Sequence, residues 1–123
     1  MKSNELENRL ITFSVDVINC CQKEENNVTS EHLVKQIIRS STSSALYYGM
    51  LETADSTVEF ENNLKICLKE LRATLVNLKI QKGIQNISNT EELERLMNEN
   101  NELIAIFVSD IKTSKNKNKN IGF

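Results

Sequence analysis

Five cations, Lys65, Lys69, Arg72, Lys79 and Lys82, recur along one stretch of this 123-residue chain at spacings that set them side by side on a helix. The chemistry open to such a row is electrostatic. A cation held against a nucleic-acid phosphate releases condensed counterions, so the row is a candidate nucleic-acid-binding surface. The competing reading pairs it with Glu92, Glu94, Glu99 and Glu102 of the next segment, in the same or a neighbouring subunit. Each such exposed pair contributes at most about 1 kcal/mol. Pairing is the preferred reading. The formal net charge of −2 is far from that of a bulk polyanion binder. Phe13, Tyr47, Tyr48, Phe60, Phe107 and Phe123 are too scattered to form a platform for stacking bases.

No other chemistry finds its residues. His32 is the single histidine, with no acid or nucleophile at motif spacing and none of the Glu-x-x-His pairs that bundle di-iron sites need. It reads as a solvated residue in the first turn of a helix. Cys20, Cys21 and Cys67 are an odd set without a Cys-x-x-Cys pair, whereas structural zinc takes four ligands at recognisable spacing. They read as small buried hydrophobes in a reducing cell. Glu24-Glu25 and Glu91-Glu92-x-Glu94 read as solvated faces and helix starts. No catalytic, cofactor-binding or metal site is expected, and no enzyme activity.

The elements that carry these residues follow from apolar spacing. Proline is absent and glycine occurs three times, which favours long helices with short connections. Leu6, Leu10, Phe13, Val17 and Cys20 form one seam of a helix over about 4–23, widened by Ile11, Val15 and Ile18 and ended by Glu24-Glu25-Asn26-Asn27. A second helix, about 30–52, starts at a Thr29 or Ser30 cap. Its small polar run from Gln36 to Ala45 keeps helical register, and so reads as a face built for close approach by a neighbour. The third, about 56–82, opens on a capping box, Ser56-x-x-Glu59. Leu64, Leu68, Leu71, Leu75 and Leu78 form its seam, and Gly83 is the expected left-handed stop. The fourth, about 89–112, starts at Asn89 and sets polar Asn100 on an apolar seam.

Four amphipathic helices with short connections predict an all-α fold, an up-and-down antiparallel four-helix bundle over residues 1–113. A Lys/Asn-rich tail, 114–123, lacks periodicity and is expected to be disordered. Ile66, Ala73 and Ile80 recur every seven residues opposite the leucine seam and are the candidate oligomer interface. The longest apolar-rich stretch, Leu10 to Cys21, is broken by Thr12, Ser14, Asp16 and Asn19 and falls short of the roughly 20 residues that cross a bilayer. The expected compartment is the cytoplasm, with no membrane partner and no small-molecule substrate.

Gln36-x-x-Arg39-Ser40-Ser41-Thr42-Ser43, Ser56-x-x-Glu59-Phe60 and Ile66-Cys67-Leu68-Lys69-Glu70-Leu71-x-x-Thr74-Leu75-x-x-Leu78 together resemble the four helix bundle family of 23S rRNA intervening sequence proteins, over about residues 6–112. Members are encoded, among other places, within insertions in bacterial large-subunit ribosomal RNA genes. The resemblance implies a bundle that assembles into a ring-like homopentamer, so that the partner is the chain itself, and implies no enzyme activity. A related branch, the accessory proteins of diversity-generating retroelements, binds nucleic acid through a basic pentamer. Two family acidic positions fall here on Met50 and Ala73, while Glu70 is kept. A family-matching Arg39 reads as the partner of a carboxylate such as Glu70, a structural ion pair that fixes helix register. The functional expectation is a non-enzymatic homo-oligomeric four-helix bundle, a pentamer on the resemblance, acting as an assembly or adaptor module; the alternative is a nucleic-acid (RNA) binding accessory protein that uses the basic row of the third helix.

Overall fold

The computed structural model describes residues 1–22 and 27–120, with side chains through Lys117. It contains α1 (Ser3–Gln22), α2 (Val28–Gly49), α3 (Thr57–Gly83) and α4 (Thr90–Asn120), with a single 3-10 turn at Leu51–Thr53. Consecutive helices pack against each other and α4 closes on α1, so α1 and α3 occupy opposite corners. Ser44 meets Cys67, Ser40 meets Thr74 and Leu33 meets Asn77, which fixes α2 and α3 as antiparallel. The fold is the up-and-down four-helix bundle that the spacing predicts. Residues 23–26, where the first helix was expected to close, and 121–123 of the tail lie outside the described residues.

One core runs the length of the bundle. Leu6, Leu10, Phe13 and Val17 of α1 meet Leu64, Leu71 and Leu78 of α3 and Leu93, Leu96, Leu103 and Phe107 of α4. At 1.5 Å per residue α3 is about 40 Å long, and its leucine seam stays dry over most of that length. Residues 39–46, which hold the serine run, are helical throughout. Ile11 and Val15 depart from expectation: they are 45% and 48% exposed instead of widening the core. They lie on the outward side of α1, and periodicity alone cannot say whether a second apolar stripe has a neighbour to cover it.

The helix ends differ from expectation in instructive ways. α2 begins at Asn27, whose Oδ1 accepts from the Ser30 amide at 2.9 Å, in place of a Thr29 or Ser30 cap. Asn is as good an N-cap as Ser and sits in the extended backbone a cap requires. Ser56 caps α3 by accepting from the Glu59 amide at 3.1 Å, and Glu59 returns a bond to the Asp55 amide at 2.8 Å. Gly83 is the last residue of α3 and not its left-handed stop. That conformation falls on Gln85, at φ 56°. The amide of Asn86 bonds to the Gln81 carbonyl and that of Gln85 to Lys82, the pattern of a Schellman ending. α4 continues as helix through Asn120, so residues 114–120 are not an irregular tail. No proline or glycine occurs between Ile84 and Ile121 to stop it.

The misplaced glycine yields a prediction. A side chain at φ 56° costs about 1 kcal/mol relative to glycine, and a Cβ at Gly83 meets nothing within 4 Å. Gln85→Gly and Gly83→Ala are each expected to stabilise the protein by about 0.5–1 kcal/mol, read as a higher urea midpoint.

Candidate functional site

Lys65, Lys69, Arg72 and Lys79 all sit on the exposed side of α3, and Lys65 to Lys79 spans about 21 Å at the helical rise. Among the described residues the expected pairing with α4 occurs where Lys82 Nζ reaches Glu94 at 2.5 Å. Lys65 instead faces Glu61 of its own helix at 3.8 Å. Among the described residues Lys69, Arg72 and Lys79 form no ion pair. The reason is the rotation of α4, which turns its acids toward α1. Arg9 donates to Glu99 through Nε and Nη2 at 2.8 and 2.6 Å and to Glu102 at 2.5 Å. Arg95 holds Glu92 at 2.6 Å and Asp16 of α1 at 3.1 Å.

These contacts register in the titration of the groups. Arg9 holds the Glu99 carboxyl below the usual carboxylate range, and Glu99 in turn raises Arg9. Glu99 therefore adds stability above its unfolded pKa, and that contribution is lost as pH falls through the lowered folded value. The α1/α4 seam is thus a charge-neutralised face, whereas the outer face of α3 keeps its positive charge.

Arg39 Nη1 donates to Glu70 Oε2 at 2.8 Å, joining α2 to α3, with Glu70 mostly covered and Arg39 mostly exposed. Beneath this pair lies a buried polar ladder that sequence reasoning missed. Ser40 and Thr74 share a hydroxyl hydrogen bond at 2.8 Å. Asn77 Nδ2 donates to the Leu33 carbonyl at 3.0 Å, Gln81 Nε2 donates to Asn77 Oδ1 at 2.7 Å, and Asn86 Nδ2 donates to Gln81 Oε1 at 3.0 Å. The signal was present: residues 70, 74, 77 and 81 share one helical face at steps of four, three and four. These groups satisfy one another internally, which makes the ladder a device for register and not an open site.

The remaining candidates are structural. Cys20, Cys21 and Cys67 are all buried. Burial pushes the Cys67 thiol up to about 12, and Sγ contacts the Ser44 carbonyl at 3.4 Å, so a thiolate is strongly disfavoured. His32 is exposed near the start of α2, just past its first turn. Among the described residues no three His, Cys, Asp or Glu side chains converge as metal ligands would. No helix among them is long and apolar enough to cross a membrane. Asn100, on the α4 seam, is fully buried and donates to the Leu71 carbonyl at 3.0 Å, while its Oδ1 has no hydrogen-bond partner.

Two apolar strips face outward. On α3, Ala73, Val76 and Ile80 are exposed (Val76 55%, Ile80 46%) and Ile66 is half-buried. Ala73, Val76 and Ile80 line a shallow hollow of about 190 Å³ opposite Gln36 and Arg39 of α2. Ile11 and Val15 form the second strip on α1, at the opposite corner of the bundle.

No protein-family model matches the chain, and no curated protein does. Among solved structures the chain is similar to a protein of unknown function of the S23 ribosomal protein family from Bacteroides thetaiotaomicron VPI-5482. The two share 30% sequence identity and superpose with a TM-score of 0.77, over 91% of this chain and 99% of that one.

Proposed function

We propose that this chain, which belongs to the S23 ribosomal protein family, is a non-enzymatic bundle that assembles with copies of itself and serves as an assembly or adaptor module. We read it further as a 23S rRNA intervening sequence protein of the cytoplasm, on the residues from Gln36 to Ser43 and from Ile66 to Leu78. The observation that carries the assembly is the pair of unlike apolar strips. Val76 and Ile80 on α3, and Ile11 and Val15 on α1, stand about half exposed on a single copy. Contiguous apolar surface of this kind marks contact faces. Two different strips at opposite corners favour a head-to-tail contact, in which one strip of a copy meets the other strip of the next. Such contacts close into rings when the rotation between copies permits. A ring of five is the size the family resemblance implies.

Light scattering tests this directly. The native chain is expected at about five times its 14.0 kDa mass, and the double variant Val76→Glu, Ile80→Glu is expected as a helical monomer, because each buried acid would lack a partner. A clean monomer of the native chain at micromolar concentration would sink the proposal.

A second reading, RNA binding, is favoured by one observation. Lys69, Arg72 and Lys79 lack acidic partners because Glu99 and Glu102 are engaged by Arg9. In a ring these cations would recur around the assembly. Titrating structured RNA at about 50 and about 200 mM salt would show affinity falling steeply with salt, as counterion release demands. No binding at the lower salt would remove this reading.

A further inference from the structure

At the end of the bundle where α2 and α4 finish and α3 begins, two cavities adjoin. One, of about 210 Å³, is walled by Leu51, Phe60 and Leu64; the other, of about 380 Å³, by Leu6 and Ile106. Tyr48 and Asp110 line both. Elsewhere on the bundle half-buried acids meet a cation: Asp16, Glu61, Glu70, Glu92 and Glu99 each face an arginine or a lysine. Asp110, also half-buried, forms no ion pair or hydrogen bond among the described residues. Burial holds its carboxyl above the usual range, although the N-terminal amine of Met1, a residue that lines the second cavity, pulls the other way. Glu7 adds to the negative field at Tyr48 on this same end. A carboxylate kept against apolar walls with no direct ion pair leaves a place for one.

We propose that this end of the bundle binds a small organic cation, an ammonium or guanidinium group carried on an apolar body. Asp110 receives the charge. Leu51, Phe60 and Leu64 cover the body. Tyr48 donates its hydroxyl hydrogen to Ser3 Oγ at 3.3 Å, so its oxygen lone pairs remain to accept from the ligand N–H. The hydroxyls of Thr113 and Ser114, on the same wall of α4, offer further acceptors. A cavity of roughly 150 Å³ takes benzene, so this one accommodates a ring with a short arm. Lys117 on the rim disfavours a bare metal dication and a ligand cationic at both ends. The reading is independent of the assembly proposed above.

Phenethylamine titrated into the full-length chain is the probe, followed by amide ¹H–¹⁵N spectra. Saturable shifts are expected at amides around Tyr48, Phe60 and Asp110. Asp110→Asn, which keeps the shape and removes the charge, is expected to weaken binding at least about tenfold, the loss of one charge-assisted hydrogen bond. Phenethyl alcohol, the same body without the charge, is expected to bind native protein at least about tenfold more weakly. This arm needs no variant to fold. No saturable shift up to about 10 mM phenethylamine, or equal affinity for amine and alcohol, would overturn the proposal, as would undiminished binding by a folded Asp110→Asn protein.

Discussion

Phe107→Ala is expected to destabilise the bundle by about 4 kcal/mol, near the top of the range for removing a buried aromatic ring. Phe107 is fully buried on α4. Its ring stands edge-to-face with Tyr48, centroids 5.6 Å apart and planes at 82°. Truncation therefore removes transfer free energy, leaves a void between α2 and α4, and forfeits an aromatic pair worth about 1 kcal/mol on its own. Domains of this size have a total stability of roughly 5–15 kcal/mol, so the variant is expected to lose a large part of its cooperative transition. Phe107→Leu retains most of the volume and is expected to cost less than about 1.5 kcal/mol. Equilibrium urea unfolding followed by circular dichroism checks both, and similar midpoints for the two variants would show that the site collapses around the void.

The second large effect lies at the opposite kind of position, where a side chain is too small to replace by anything bigger. Ser41→Leu is expected to cost about 3 kcal/mol, the upper part of the range for overpacking a tight site. Ser41 has no exposed surface. Ser14 of α1 donates its hydroxyl to the Ser41 backbone carbonyl at 2.8 Å, and Ser44 donates to the same oxygen at 2.8 Å. A side chain of one helix that bonds to the backbone of the next leaves no room for a branched residue between them. Leucine would push α1 away and break the bond from Ser14. Ser41→Ala keeps the spacing and is expected to cost at most about 1 kcal/mol. The gap between the two variants measures how close the helices stand. If leucine were tolerated within about 1 kcal/mol, the serine face would not be an interhelical contact.

Helix existence was legible because it depends on local spacing. The seam of Leu64, Leu71 and Leu78 and the cap at Ser56 need only neighbours three or four residues away. The serine run was legible for the same reason: apolar residues on either side kept register through it. Legibility weakened at the ends. Gly83 was the natural stop on composition, yet the chain places its left-handed residue at Gln85, two positions on. A glycine permits that backbone conformation without requiring it, and the ending is chosen by which carbonyls the next amides can reach.

The pairing of charges was much less legible. The α3 row and the α4 acids were expected to meet, and among the described residues the ion pair between them is Lys82 with Glu94. A rotation of α4 about its own axis sends Glu99 and Glu102 to Arg9, ninety or more residues away in sequence. That rotation is set by core packing, which the charged residues do not control. Arg39 and Glu70 were linked beforehand only through the family resemblance, and the structure holds them 2.8 Å apart.

From its residues alone, this chain determined four helices, the starts of the third and fourth at Ser56 and Asn89, and the antiparallel order that short connections impose, because each is a matter of contacts within a few residues. Tertiary structure decided which stripe became interior and which stayed outside, as Ile11 and Val15 did. It decided which acids the arginines took, and it left Asp110 without an ion pair among the described residues, between two cavities. These outcomes depend on the relative rotation of whole helices, a single choice that all the side chains of the core make together.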